Sequence, residues 1–140
     1  MEALNEYSLG RIIGIIGIYA WAGSMVIAWQ GFNKNKLVLY SNVVVAFVLF
    51  IGGLVLYPKK LANGINSNAA GVLFTPMLFM ILHYLSGRAY YFLYGFPPDS
   101  GVYTSNTAKG TNRKLNFFDH VVVFLPAVLS LTIGITLSRM

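Results

Sequence analysis

Six side chains in one apolar stretch carry most of the chemistry on offer: His83, Tyr84, Arg88, Tyr90, Tyr91 and Tyr94, within AAGVLFTPMLFMILHYLSGRAYYFLYGFPP. On an ideal helix His83, Gly87, Tyr90 and Tyr94 share a narrow stripe, because offsets of four, seven and eleven nearly close whole turns. Arg88 falls on a second stripe, close in angle to Tyr84 and within reach of Tyr91. An ionisable residue inside a membrane segment is a functional candidate by default. For Arg88 that means an anionic lipid, a quinone-like headgroup or a carboxylate on a partner. The plainer reading has Arg88 at headgroup level, snorkelling among interfacial tyrosines. His83 offers haem or quinone binding, against the plainer reading of hydrogen-bonded packing. The only other histidine is His120. Bis-histidine haem ligation would need the two to approach from antiparallel helices. Asp119 and His120 form a secondary polar pair, usable for acid–base work or, for Asp119, as a charge near a positive helix end.

The stretch must be positioned by the rest of a chain of 140 residues, 56% hydrophobic and 10% charged. A soluble domain carries roughly a quarter of its residues as charged types. So few charges cannot cover a compact globule in water, and lipid is expected to cover much of the exterior. Ten Lys and Arg against four acids leave a net charge of +6. The basic residues lie mostly between the apolar runs, as membrane flanks do, which points to anionic headgroups and not to nucleic acid.

Four apolar runs, at about 9–29, 37–57, 69–96 and 117–137, are each long enough to cross a hydrocarbon core of ~30 Å as a helix. Their continuous hydrophobicity excludes barrel strands, which alternate. The expectation is an all-α polytopic membrane protein, a single four-transmembrane-helix bundle with one polar loop at 97–116. Glu2 and Glu6 precede the first run where a secretory signal or a mitochondrial presequence would be basic, so no cleaved leader is expected. The first run carries Gly10, Gly14, Gly17, Ala20, Ser24 and Ala28 along one side. Such a stripe permits close backbone approach, inside the bundle or to a second copy. The link 30–36, with Lys34 and Lys36, forces the first two helices to be antiparallel neighbours. Asn42 is placed to hydrogen-bond a neighbouring helix, Gly52 and Gly53 to make a close contact, Asn116 to cap the fourth helix and Pro126 to kink it. Four basic residues on the side of the termini face five on the other, too even a division for the positive-inside rule to orient the chain.

Several classes are disfavoured. Without cysteine there is no disulfide, thiolate metal site or thiol nucleophile. No glycine-rich phosphate loop, HExxH or placeable Ser-His-Asp arrangement occurs. No carboxylate lies deep in a run, which counts against a carboxylate-coupled transporter, and no inverted repeat is visible.

Gly87-Arg88, Tyr91 and Gly95-Phe96 resemble the third-helix signature of the microsomal glutathione transferase family, the membrane glutathione and eicosanoid enzymes. The resemblance covers about ten residues and implies a four-helix fold. It also implies a homotrimer and an anionic glutathione held between subunits by basic and tyrosine side chains. The family's second helix carries an Arg, an Asn and a Glu in a defined pattern; here that run has Asn42 but neither of the others. The family's long link between helices one and two is also missing.

The leading expectation is a small integral-membrane subunit with a structural or accessory role in a larger membrane complex. Its partners would be membrane lipids and other membrane subunits, with lipid or quinone a candidate ligand at the aromatic and Arg edge of the third run. No cofactor or metal is firmly implied. The alternatives are a membrane enzyme of the glutathione transferase type and a haem- or quinone-binding anchor.

Overall fold

Long apolar runs satisfy their backbone groups internally by closing into helices, and four of them do so here. The computed structural model describes residues 2–29, 35–96, 98 and 117–140. They form α1 (Glu2–Trp29), α2 (Lys36–Leu56), α3 (Thr75–Tyr94) and α4 (Phe117–Arg139), with no strand among the described residues. The segments Asn5–Trp29, Lys36–Lys59, Ala69–Tyr94 and Phe117–Arg139 are each long and apolar enough to cross a membrane. Lys34, Lys109, Arg113, Lys114 and the expected cap Asn116 lie outside the described residues.

Two boundaries differ from the sequence expectation. Helix α1 starts at Glu2, well before the apolar run. Ala3 and Leu4 are strong helix formers. The third run is not one continuous α-helix. Ala69–Phe74 winds as a 3₁₀ helix, and the α-helix begins only at Thr75 with Pro76 in its first turn. Proline has no N–H to give and its ring clashes with the carbonyl four residues back, so it ends α-helical structure upstream. The carbonyl it cannot serve, that of Val72, accepts instead from the N–H of Thr75 and from Thr75 Oγ1 at 2.8 Å.

Helix α4 meets the same problem differently. Pro126 lies inside the helix, which continues through it from Phe117 to Arg139. Val122, four residues earlier, loses its intrahelical donor. Ser86 Oγ, from α3, shares its one proton between the Val122 carbonyl at 3.2 Å and the His83 carbonyl of its own helix at 3.1 Å. A side chain from α3 thus reaches the backbone gap in α4 while also serving its own helix, and it places Ser86 level with Val122.

Side-chain bonds define the helix directions. Trp21 Nε1 donates to Ser130 Oγ at 3.0 Å and Trp29 Nε1 to the Val123 carbonyl at 3.3 Å, so α1 runs antiparallel to α4. Ser86 on Val122 and Tyr94 beside Phe118 make α3 antiparallel to α4 as well. Ser24 Oγ donates to Asn42 Oδ1 at 2.9 Å and joins α1 to α2.

The core sits where residues 60–74 fold back into the bundle. Ala69, Ala70, Gly71, Val72, Leu73 and Phe74 are all buried. Ile13, Leu61, Ala69 and Leu73 pack together with Leu49 and Leu56. Phe74 wedges against α2, its ring 5.4 Å from Phe50 and 5.8 Å from Tyr57, over the space left by Gly53. Gly52 has open space around it. Non-helical backbone is anchored to helix ends: the N–H of Asn68 donates to the Ser138 carbonyl at 2.8 Å, and that of Ala69 to Leu61 at 2.7 Å. Asn68 Nδ2 donates to the Tyr57 carbonyl at 2.8 Å, and Tyr57 donates its hydroxyl to the Leu137 carbonyl at 3.0 Å.

Candidate functional site

The small-residue stripe of α1 faces this inserted segment. A Cβ on Gly10 would collide with the carbonyl oxygen of Ala62, one on Gly14 would lie 2.9 Å from Asn63 Nδ2, and one on Gly17 would lie 2.9 Å from the Val72 carbonyl oxygen. Ser24 continues the stripe as the buried donor to Asn42, and Ala20 and Ala28 are half-buried beside it. The close approach that the stripe permits is thus made within the chain.

Helix α3 separates the six candidates onto two sides. Tyr90 is buried, its ring 4.5 Å from Tyr94 and 5.9 Å from Phe96; Tyr94 in turn lies 6.4 Å from Phe118 of α4. His83 is half-buried on the same helix, stacked on Phe79 at 5.5 Å. Its Nδ1 is buried and has no hydrogen-bond partner among the described residues. On the other side Tyr84, Arg88 and Tyr91 are all exposed. Arg88 makes no ion pair among the described residues. The difference follows from the helical period: positions 83 and 90 turn toward the bundle, 94 shares their side but is exposed near the helix end, and 84, 88 and 91 turn away.

Asp119 and His120 also part company. Asp119 is fully buried in the first turn of α4, whereas His120 is exposed and stacks on Phe124 at 6.3 Å. With Ser86 level with Val122, His83 is level with residue 125 of α4. His120 therefore stands about 7.5 Å away along the axis, at 1.5 Å per residue. Each imidazole packs on a phenylalanine of its own helix, and the register gives the pair no common level for one metal. Among the described residues no group of three or more His, Asp or Glu side chains converges as a metal set.

The same register locates Arg88 along the bundle. Trp29 and Ser86 bond to adjacent α4 carbonyls, so the end of α1 is level with Ser86. The Ser24–Asn42 bond sets the start of α2 near that level too. Arg88 stands about 3 Å beyond both, and Tyr91 about 7.5 Å beyond. The stretch from Arg88 to Phe96 is therefore an aromatic collar lying beyond the levels of Trp29 and Lys36, with Gly95 in the left-handed conformation (φ 76°) closing α3.

Sequence reasoning passed over Asn68 and the Ser86–Pro126 relation. Asn68 is almost wholly buried, with Oδ1 lacking a donor among the described residues. The carbonyl four residues before an in-helix proline was the readable signal for the second. Searches against protein-family models, curated proteins and solved structures match nothing to this chain.

Proposed function

We propose that the protein is a small multi-pass integral-membrane protein that works by association, as a structural or accessory subunit of a larger membrane assembly. One observation carries this reading: four polar side chains inside the bundle join its own segments to one another. Ser24 holds Asn42, Trp21 holds Ser130, Ser86 holds the Val122 carbonyl and Tyr57 holds the Leu137 carbonyl. Interhelical bonds of this kind contribute about 0.6 kcal/mol each in a membrane protein. What α2 offers outward is apolar. Helix α2 turns Val44, Val48, Ile51 and Val55 away from the bundle along one stripe, opposite the buried Asn42, Ala46 and Gly53.

A photo-reactive side chain at Val48 tests this in the native membrane. The expected outcome is one protein adduct of discrete mass from Val48 and none from the inward position Ala46. Adducts with lipid alone from Val48, and also from the exposed α1 positions Ile15 and Tyr19, would remove the reading.

A second reading is favoured by the exposure of Arg88 and Tyr91 on the outer side of α3. That is where a site shared between subunits would need them, as in the microsomal glutathione transferases. It predicts a homotrimer and a thermal shift with glutathione that Arg88→Ala abolishes. A monomer indifferent to glutathione would end it.

A further inference from the structure

Arg88 and Arg11 mark two planes. From Arg11 to Trp29 is 18 residues of α1, about 27 Å at 1.5 Å per residue. Ser86 bonds one α4 residue farther out than Trp29 does, and Arg88 is two residues beyond Ser86. The two guanidinium-bearing positions are thus about 30 Å apart along the bundle, the thickness of a bilayer's hydrocarbon core. Arg11 lies over the ring of Tyr7, 4.7 Å from its centroid. Arg88 has no acid partner among the described residues and faces outward between Tyr84, one turn inward, and Tyr91, one turn outward. Lys36, at the start of α2, is exposed near the same level. A cation on the lipid side of a helix, in the headgroup plane, needs its counter-charge from the bilayer. The planar guanidinium fork matches a phosphate in two-point contact, and neighbouring tyrosine hydroxyls supply further donors.

We propose that the outer edge of α3 is a binding site for an anionic phospholipid, with Arg88 holding the headgroup phosphate and the Tyr84 and Tyr91 hydroxyls flanking it. The site commits one annular lipid to a fixed place on the bundle. It does not depend on whether the protein has a protein partner, since every group involved belongs to this chain.

Nanodiscs of equal phosphatidylcholine and phosphatidylglycerol test this, read by native mass spectrometry of the lipids retained on the released chain. Wild type is expected to keep phosphatidylglycerol over phosphatidylcholine by about fivefold, the attraction of one basic side chain at an anionic surface. Arg88→Gln should abolish the preference, whereas Lys60→Gln, an exposed change at the opposite end, should leave it intact. A thermal melt of each variant shows that the fold persists. Equal retention of the two lipids by wild type, or an unchanged preference in Arg88→Gln, would overturn the proposal. So would stabilisation by glutathione in phosphatidylcholine discs that Arg88→Gln abolishes and phosphatidylglycerol does not displace, which would give the edge to a soluble anion.

Discussion

Where α2 gives way to residues 57–75, backbone lies directly against backbone; at the opposite end, from Ser86 to Phe96, rings lie against rings and much of the surface is open. The first region has glycines under α1 and α4, carbonyl oxygens closed by Asn68, Tyr57 and Thr75, and a 3₁₀ segment with no exposed residue. The second has Tyr90 and Tyr94 against Phe96 and Phe118 on its inner side, with Tyr84, Arg88 and Tyr91 outside. Contacts made by backbone have no rotamer to yield, so they specify one geometry and tolerate no added atom. Contacts made by rings adjust, and an edge that is open can be occupied.

The largest expected effect breaks the packed end. A Cβ on Gly71 would lie 2.5 Å from the Ser138 nitrogen and 2.7 Å from the Leu137 carbonyl carbon. Gly71→Leu should destabilise the bundle by about 3 kcal/mol or prevent its folding, as overpacking against atoms that cannot move. Gly52→Leu, with nothing within 4 Å of its Cβ, is the matched control and should change stability by no more than about 0.5 kcal/mol. Unfolding in bicelles, followed by steric trapping, reads both.

Next comes Asn68→Ala, which empties a buried position and removes one of two donors to the Tyr57 carbonyl, the Lys60 N–H being the other. A loss of about 1–2 kcal/mol in the same assay is expected, from the lost hydrogen bond and the lost packing of a buried side chain. Ser86→Ala should cost about 1 kcal/mol, because the Val122 carbonyl has already lost its helical donor to Pro126. In a Pro126→Ala background residue 126 again has an N–H, so Ser86→Ala should there cost much less. A double-mutant cycle with no coupling would show that the serine does not serve the proline gap.

The smallest effect belongs to the open end. Arg88→Ala should leave stability within about 0.5 kcal/mol of wild type, since Arg88 is exposed and unpaired among the described residues. A loss as large as that of Asn68→Ala would put Arg88 into the fold and erase the contrast between the ends.

Much of this arrangement was readable in the sequence, for physical reasons that also explain the rest. Four helices were legible because hydrocarbon thickness demands runs of about twenty apolar residues and the chain supplies four. The two sides of α3 were legible because the 3.6-residue period separates 83, 90 and 94 from 84, 88 and 91. Hydropathy does not register the break at Phe74–Thr75, since Pro76 interrupts hydrogen bonding without lowering apolarity. The spacing of Gly10, Gly14 and Gly17 announces a close approach but cannot name the surface approached, which is residues 62–72 of the same chain. Asp119 reads in the sequence as a charge near a positive helix end, and that position on the helix says nothing of its complete burial.

The most direct test of the account is the mass of the particle that leaves the native membrane when the chain is extracted with its surrounding bilayer intact. A protein that functions by association should emerge bound, in fixed stoichiometry, to at least one other membrane protein, in excess of its own 15.4 kDa. A particle containing only a single copy of this chain with lipid, or only copies of this chain, would contradict it.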